Sequence, residues 1–114
     1  MNWYGQCEAG GDKLTGWVEF RYASQNTVYV SKAGFHIERN GKPHNNVYLA
    51  LRGNGGNTTY WEWTSRDIIR GGQPYELKVD KRVPRGAKPY MKVHATFDQV
   101  GPDPKCAAYI NLPR

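Results

Sequence analysis

Trp17-Val18-Glu19-Phe20-Arg21-Tyr22 sets apolar and polar side chains in alternation, with Val18, Phe20 and Tyr22 on one side and Trp17, Glu19 and Arg21 on the other. A period of two is the mark of a strand buried on one face. The pattern recurs along the chain. Thr27 to Ser31, Gly34 to Arg39, Val47 to Arg52 and Thr59 to Thr64 read as strands, followed by Tyr75 to Arg82, Tyr90 to Phe97 and Cys106 to Leu112. Val47, Leu49 and Leu51, then Met91, Val93, Ala95 and Phe97, then Cys106, Ala108, Ile110 and Leu112 supply inward faces. The separators carry turn chemistry: Gly10-Gly11, Asn40-Gly41, Gly53 to Asn57 and Gly71-Gly72 tolerate positive φ. No long segment shows a helical stripe, and at most one short helical turn is expected near 65–70, between Ser65 and Gly71.

About seven to eight short strands in 114 residues is the density of an all-β antiparallel β-sandwich, immunoglobulin-like or related. The chain is read as a single domain spanning 1–114. Leu, Ile, Val and Phe are scarce and the mean hydropathy is −0.78, a composition that leans towards disorder. Four Trp, eight Tyr and three Phe offset that, each ring able to bury roughly 150–250 Å². The core is therefore expected to rest on aromatic and β-branched side chains. No apolar run approaches a membrane span.

Cys7 and Cys106 stand near opposite ends of the sequence, too far apart for a zinc or dithiol motif. A disulfide between them is expected, and with it an extracellular or periplasmic setting. The chain is accordingly read as secreted, Met1 replacing a removed signal peptide. Asn57-Thr58-Thr59 fits the glycosylation acceptor pattern.

Charge is concentrated. Of 16 basic and ten acidic residues, six basic residues and one acid lie between Lys78 and Lys92, which leaves the remainder nearly neutral. That stretch reads as a basic hairpin around Val83-Pro84-Arg85-Gly86-Ala87-Lys88-Pro89. Lys81, Arg82, Arg85 and Lys88, with Tyr90 beside them, are the first candidate binding residues, suited to a protein partner or an anionic surface. Trp17 and Tyr60, facing away from the inward phases of Val18/Phe20 and Trp61/Trp63, are the second set. Trp3-Tyr4 is either folded back on the sandwich or offered to a neighbour as an added strand.

Signs of catalysis are few. No serine lies in a nucleophile elbow, no histidine pair has helical zinc spacing, and Gly53-Asn54-Gly55-Gly56 lacks the lysine of a phosphate loop. His94, Thr96 and Asp98, alternating beside Lys92, are the one arrangement that could serve acid–base cleavage. The expected function is a small secreted, disulfide-stapled, non-catalytic binding module with no cofactor and no metal, its expected partner a protein. Carbohydrate binding is the first alternative and a small secreted basic nuclease or toxin the second. No nucleic-acid motif supports a sequence-specific partner of that kind.

Overall fold

The alternation around Phe20 belongs to a strand longer than its pattern. In the computed structural model, which describes residues 1–38, 44–65, 69 and 71–114, the chain runs through β1 (Asn2–Ala9), β2 (Asp12–Ser24), β3 (Thr27–Glu38), β4 (Asn46–Gly53), β5 (Thr58–Thr64), β6 (Pro74–Pro84), β7 (Tyr90–Thr96) and β8 (Lys105–Asn111). Two four-stranded antiparallel sheets result, ordered β1-β2-β3-β6 and β5-β4-β7-β8. The fold is the expected all-β sandwich. Its strand order is not the ABED/CFG of immunoglobulin domains, so it is of the related kind. At roughly 3.4 Å per residue, the 13 residues of β2 account for the long axis of a body measuring 48 × 24 × 21 Å.

Four differences from the sequence reading have physical causes. First, Asn2–Ala9 is a strand although it shows no apolar alternation. Its register on β2 places Trp3, Gly5, Cys7 and Ala9 opposite Val18, Gly16, Leu14 and Asp12, and most of these inward residues are too small to register as a hydrophobic phase. Second, the segments 27–31 and 34–39 fuse into β3. Glu19 pairs with Lys32 and Phe20 with Val30, so Ser31 is a bulged residue inside one strand, its hydroxyl donating to the Glu19 carbonyl at 3.2 Å.

Third, Tyr22 is not inward. A second register shift follows it, and it is 48% exposed with the Arg85 guanidinium 5.2 Å above its ring. Fourth, the basic hairpin does not exist. β6 pairs with β3 in one sheet, whereas β7 pairs with β4 and β8 in the other. The connector, a 3₁₀ turn over Arg85–Ala87 followed by Lys88 at φ 52°, crosses between sheets. The expected turn near 65–70 falls largely on residues outside those described, as does the Asn40-Gly41 turn. Ser65 and Ile69 are described. The Ser65 amide donates to the Val47 carbonyl, its hydroxyl accepts from the Val47 amide, and Ile69 forms a bridge with Asn45.

The core between the sheets holds Leu14, Val18, Phe20, Val28, Val30, Phe35 and Ile37 against Leu49, Leu51, Met91, Val93, Phe97 and Ile110. All three phenylalanines are buried, while Tyr60, Trp61, Trp63 and Tyr75 pack on the margin of that cluster. Phe35 joins the two zones, stacking on Tyr75 at 5.1 Å and meeting Trp63 at 5.8 Å between ring centroids. Aromatic area thus widens an aliphatic and phenylalanine centre. Gly16 sets the sheet separation: a Cβ there would lie 2.6 Å from Val93 Cγ2.

Cys7 and Cys106 form the expected disulfide, with Cα atoms 5.8 Å apart. It joins β1 to β8, the adjacent edge strands of opposite sheets. Such a bond belongs to an oxidising environment. Among the described residues no helix is long and apolar enough to cross a membrane.

Candidate functional site

The basic residues expected to act together lie on an edge strand and on the connector that crosses between the sheets, not on two paired strands. Lys81 and Arg82 are exposed on β6, at the edge of the first sheet. Arg82 lies 5.3 Å from the Tyr29 ring centroid, with Arg21 4.7 Å from the same ring. The Tyr29 hydroxyl donates to Asp80 Oδ1 at 2.7 Å; that bond is the main reason the phenol pKa is raised and the Asp80 carboxyl pKa lowered. Arg85 has a structural position: it donates to the Gln25 carbonyl at 2.8 Å and the Arg114 carbonyl at 2.9 Å. Lys88 is exposed on the connector.

The two aromatic candidates serve packing. Trp17 pairs with Gly34 across the β2–β3 ladder, and its indole occupies the space a Cβ would take there. Aromatic cover of a strand glycine stabilises the sheet. Tyr60 is the extra residue of a bulge, since Leu51 pairs with Trp61 and Arg52 with Thr59. Half-buried, it rests beside Gly53 and on the margin of the core.

Exposed aromatic area gathers elsewhere. Where β1 and β8 leave the disulfide behind, Asn2, Trp3 and Tyr4 face Tyr109, Ile110 and Asn111 across an open trough of about 490 Å³. Trp3, Tyr4 and Tyr109 are 39%, 64% and 58% exposed. Trp3 is held in place by an edge contact with Phe20, 4.8 Å between centroids. None of the six lining side chains is charged. Tyr109 could have been singled out from sequence, because the phase that puts Cys106, Ala108 and Ile110 inward puts Tyr109 outward.

Beyond Tyr109 lies the outer face of the second sheet. The register sets Tyr48, Ala50 and Arg52 of β4 beside His94, Lys92 and Tyr90 of β7, and these beside Ala107, Tyr109 and Asn111 of β8. Arg52 donates to the Tyr48 hydroxyl oxygen at 2.8 Å, and that hydroxyl donates to Glu62 Oε2 at 2.8 Å. Burial, then the Glu62 bond, raises the Tyr48 pKa. The Tyr90 and Tyr109 rings are 6.0 Å apart, and Lys92 Nζ is 6.0 Å from the Tyr109 centroid. Tyr90 therefore belongs to this tyrosine and cation face, away from the expected hairpin. Burial lowers the His94 pKa, and Lys92 and Lys105 lower it further.

The histidine arrangement is looser than alternation implied. β7 ends at Thr96, and Asp98 follows in a loop where its amide donates to Asn45 Oδ1 at 2.8 Å. His94 pairs with Tyr48 on the outer face of the second sheet.

No protein-family model matches the chain, and no curated protein matches it. Among solved structures it is similar to the variable (V) domain of the Streptococcus agalactiae AgI/II polypeptide BspA, at 12% identity and a TM-score of 0.38. The likeness covers 90% of this chain and 65% of that one, so the chain spans less than two thirds of that structure.

Proposed function

We propose that this domain is an extracellular, non-catalytic binding module for a protein partner, which docks at the aromatic end of the β1–β8 seam. The carrying observation is the trough: three exposed rings and two amide side chains converge there, with no charged side chain among the lining residues. Protein interface centres have this make-up, rich in Tyr and Trp and poor in Lys, Glu and Asp. Rings also give contact area at little conformational cost, because two χ angles fix them. The disulfide supports the extracellular part of the reading.

Carbohydrate binding is the second reading, favoured by Tyr48, Tyr90 and Tyr109 lying on one sheet face with Asn111 at its margin. One capture experiment separates the readings. The immobilised domain is exposed to secreted proteins of its source, in parallel with Tyr4→Ser/Tyr109→Ser and Arg82→Glu/Lys88→Glu variants. The tyrosine variant should lose the captured proteins and the charge variant keep them. Equal capture by all three would sink the proposal, and Tyr90-dependent signal on a glycan array without protein capture would favour the second reading.

A further inference from the structure

The free edge of β8 has a chemistry that selects among protein partners. The Phe97 amide donates to the Pro104 carbonyl, and the Leu112 amide to the Pro89 carbonyl. In an antiparallel ladder bonded pairs alternate, so Cys106, Ala108 and Ile110 spend their backbone groups on β7. The backbone N–H and C=O of Lys105, Ala107, Tyr109 and Asn111 therefore point away from it, along the open side of the sheet. A row of this kind is a template for another strand.

The β6 and β8 edges are not equally open. β6 is blunted by Pro74 and Pro84 at its ends, by Lys78 and Lys81, and by a register shift that leaves Asp80 at φ 52°. These are the devices by which natural sheets discourage edge pairing. β8 has no proline, no paired bulge and one lysine, at its first position. Ala107 is a small residue between Lys105 and Tyr109 on the outer phase, and Ile110, on the inner phase, lines the trough together with Trp3.

Charge decides what the added strand carries. Among the described residues of its four strands, the outer face of the second sheet holds Arg52, Lys92 and Lys105 against Glu62, which already accepts from Tyr48; Asp98 and Asp103 lie in the loop between β7 and β8. The two lysines nearest β8 have no acid in register with them: Lys92 stands between Ala50 and Tyr109, and Lys105 opposite Thr96. The lowered pKa of His94, to which both lysines contribute, reflects the same positive field.

We propose that the partner binds by strand addition: an acidic, extended polypeptide segment pairs with the free edge of β8, its carboxylates on the Lys92/Lys105 side and its alternate apolar side chains towards the trough. This rests on the protein-binding reading. The probe is a fluorescein-labelled heptapeptide of alternating Glu and Val, with a Lys/Val analogue and two analogues N-methylated on alternate residues. Fluorescence anisotropy should show the Glu/Val peptide binding, weakening with salt as exposed charge pairs do. Lys105→Gln should weaken it measurably, and Lys92→Glu/Lys105→Glu by about tenfold or more. One N-methylation phase should abolish binding and the other leave it near the parent, since only alternate amides face β8.

Equal affinity of both N-methylated analogues would overturn strand addition, equal affinity of the Lys/Val peptide would overturn the acidic preference, and no binding at all would overturn both. Displacement of the peptide by polygalacturonate, together with equal binding of both methylated forms, would assign the face to anionic glycan. If capture of secreted proteins still depends on Tyr4 and Tyr109 while the heptapeptide fails, strand addition alone is lost; loss of that dependence removes the protein-binding reading itself.

Discussion

Gly16 shows how much a single missing Cβ controls. β2 and β7 face one another across the sandwich, and Val93 occupies the space a side chain on residue 16 would need. Replacing Gly16 by Ala is expected to cost about 1–3 kcal/mol, the range for overpacking a filled core, and to lower the urea midpoint without changing the slope. A neutral Gly16→Ala variant would mean that the sheets separate more easily than their packing implies. Single residues also mark what the sequence could and could not say. Val18 and Phe20 were legible because their alternation is unbroken. Tyr22 and Tyr60 were not, because each lies at a register shift, and a bulge inverts phase without leaving any composition signal. Trp17 lies on the outer side, as the alternation requires, yet it is half-buried: the glycine it covers lies 17 positions away in sequence, and only the ladder brings them together.

At the level of elements, the connector between β6 and β7 is the instructive case. Val83-Pro84-Arg85-Gly86-Ala87-Lys88-Pro89 has chemistry suited equally to a hairpin and to a crossover, since prolines, a glycine and a left-handed lysine say only that the chain turns. Which sheet receives the next strand depends on partners far away in sequence. The consequence for Arg85 is testable. Its guanidinium links the connector to the β2–β3 turn at Gln25 and to the C-terminal residue, and it covers the Tyr22 ring. Arg85→Ala should lower stability by about 1–3 kcal/mol, through loss of charge-assisted hydrogen bonds, whereas Lys88→Ala should retain the wild-type thermal midpoint within a degree or two, and differential scanning calorimetry of the two variants distinguishes a clamp from a free contact surface. β1 illustrates the opposite difficulty. Gly5, Cys7 and Ala9 are small where β1 approaches β8, so the strand has no hydrophobic signature. A Cβ on Gly5 would lie 2.9 Å from Ile110 Cγ1.

For the molecule as a whole, the disulfide ties the first strand to the last across the two sheets. In the chain-entropy account a loop of this size restricts the denatured state by roughly 4.7 kcal/mol, a large part of the 5–15 kcal/mol typical of a domain. The Cys7→Ser/Cys106→Ser variant should therefore show a strongly reduced denaturation midpoint. Native-state hydrogen exchange should rise first in β1, which has one strand neighbour, while the β2–β3 ladder stays protected. Uniform exchange throughout would show that the bond supports the entire sandwich equally. The pairing of Cys7 with Cys106 was readable from their isolation in sequence. The aromatic seam was not, because it is assembled from residues 2–4 and 109–111, two stretches joined only by the fold.

The same bond has a mechanical meaning. Tension applied at the two chain ends would run from residue to residue only as far as Cys7 and Cys106, and then pass through sulfur, so the strands between them would carry almost no load. Trp3, Tyr4, Tyr109 and Asn111 lie outside the shielded ring. Pulling would peel β1 and β8 from their sheets back to the disulfide and open the trough, while the strands between the two cysteines stay unloaded.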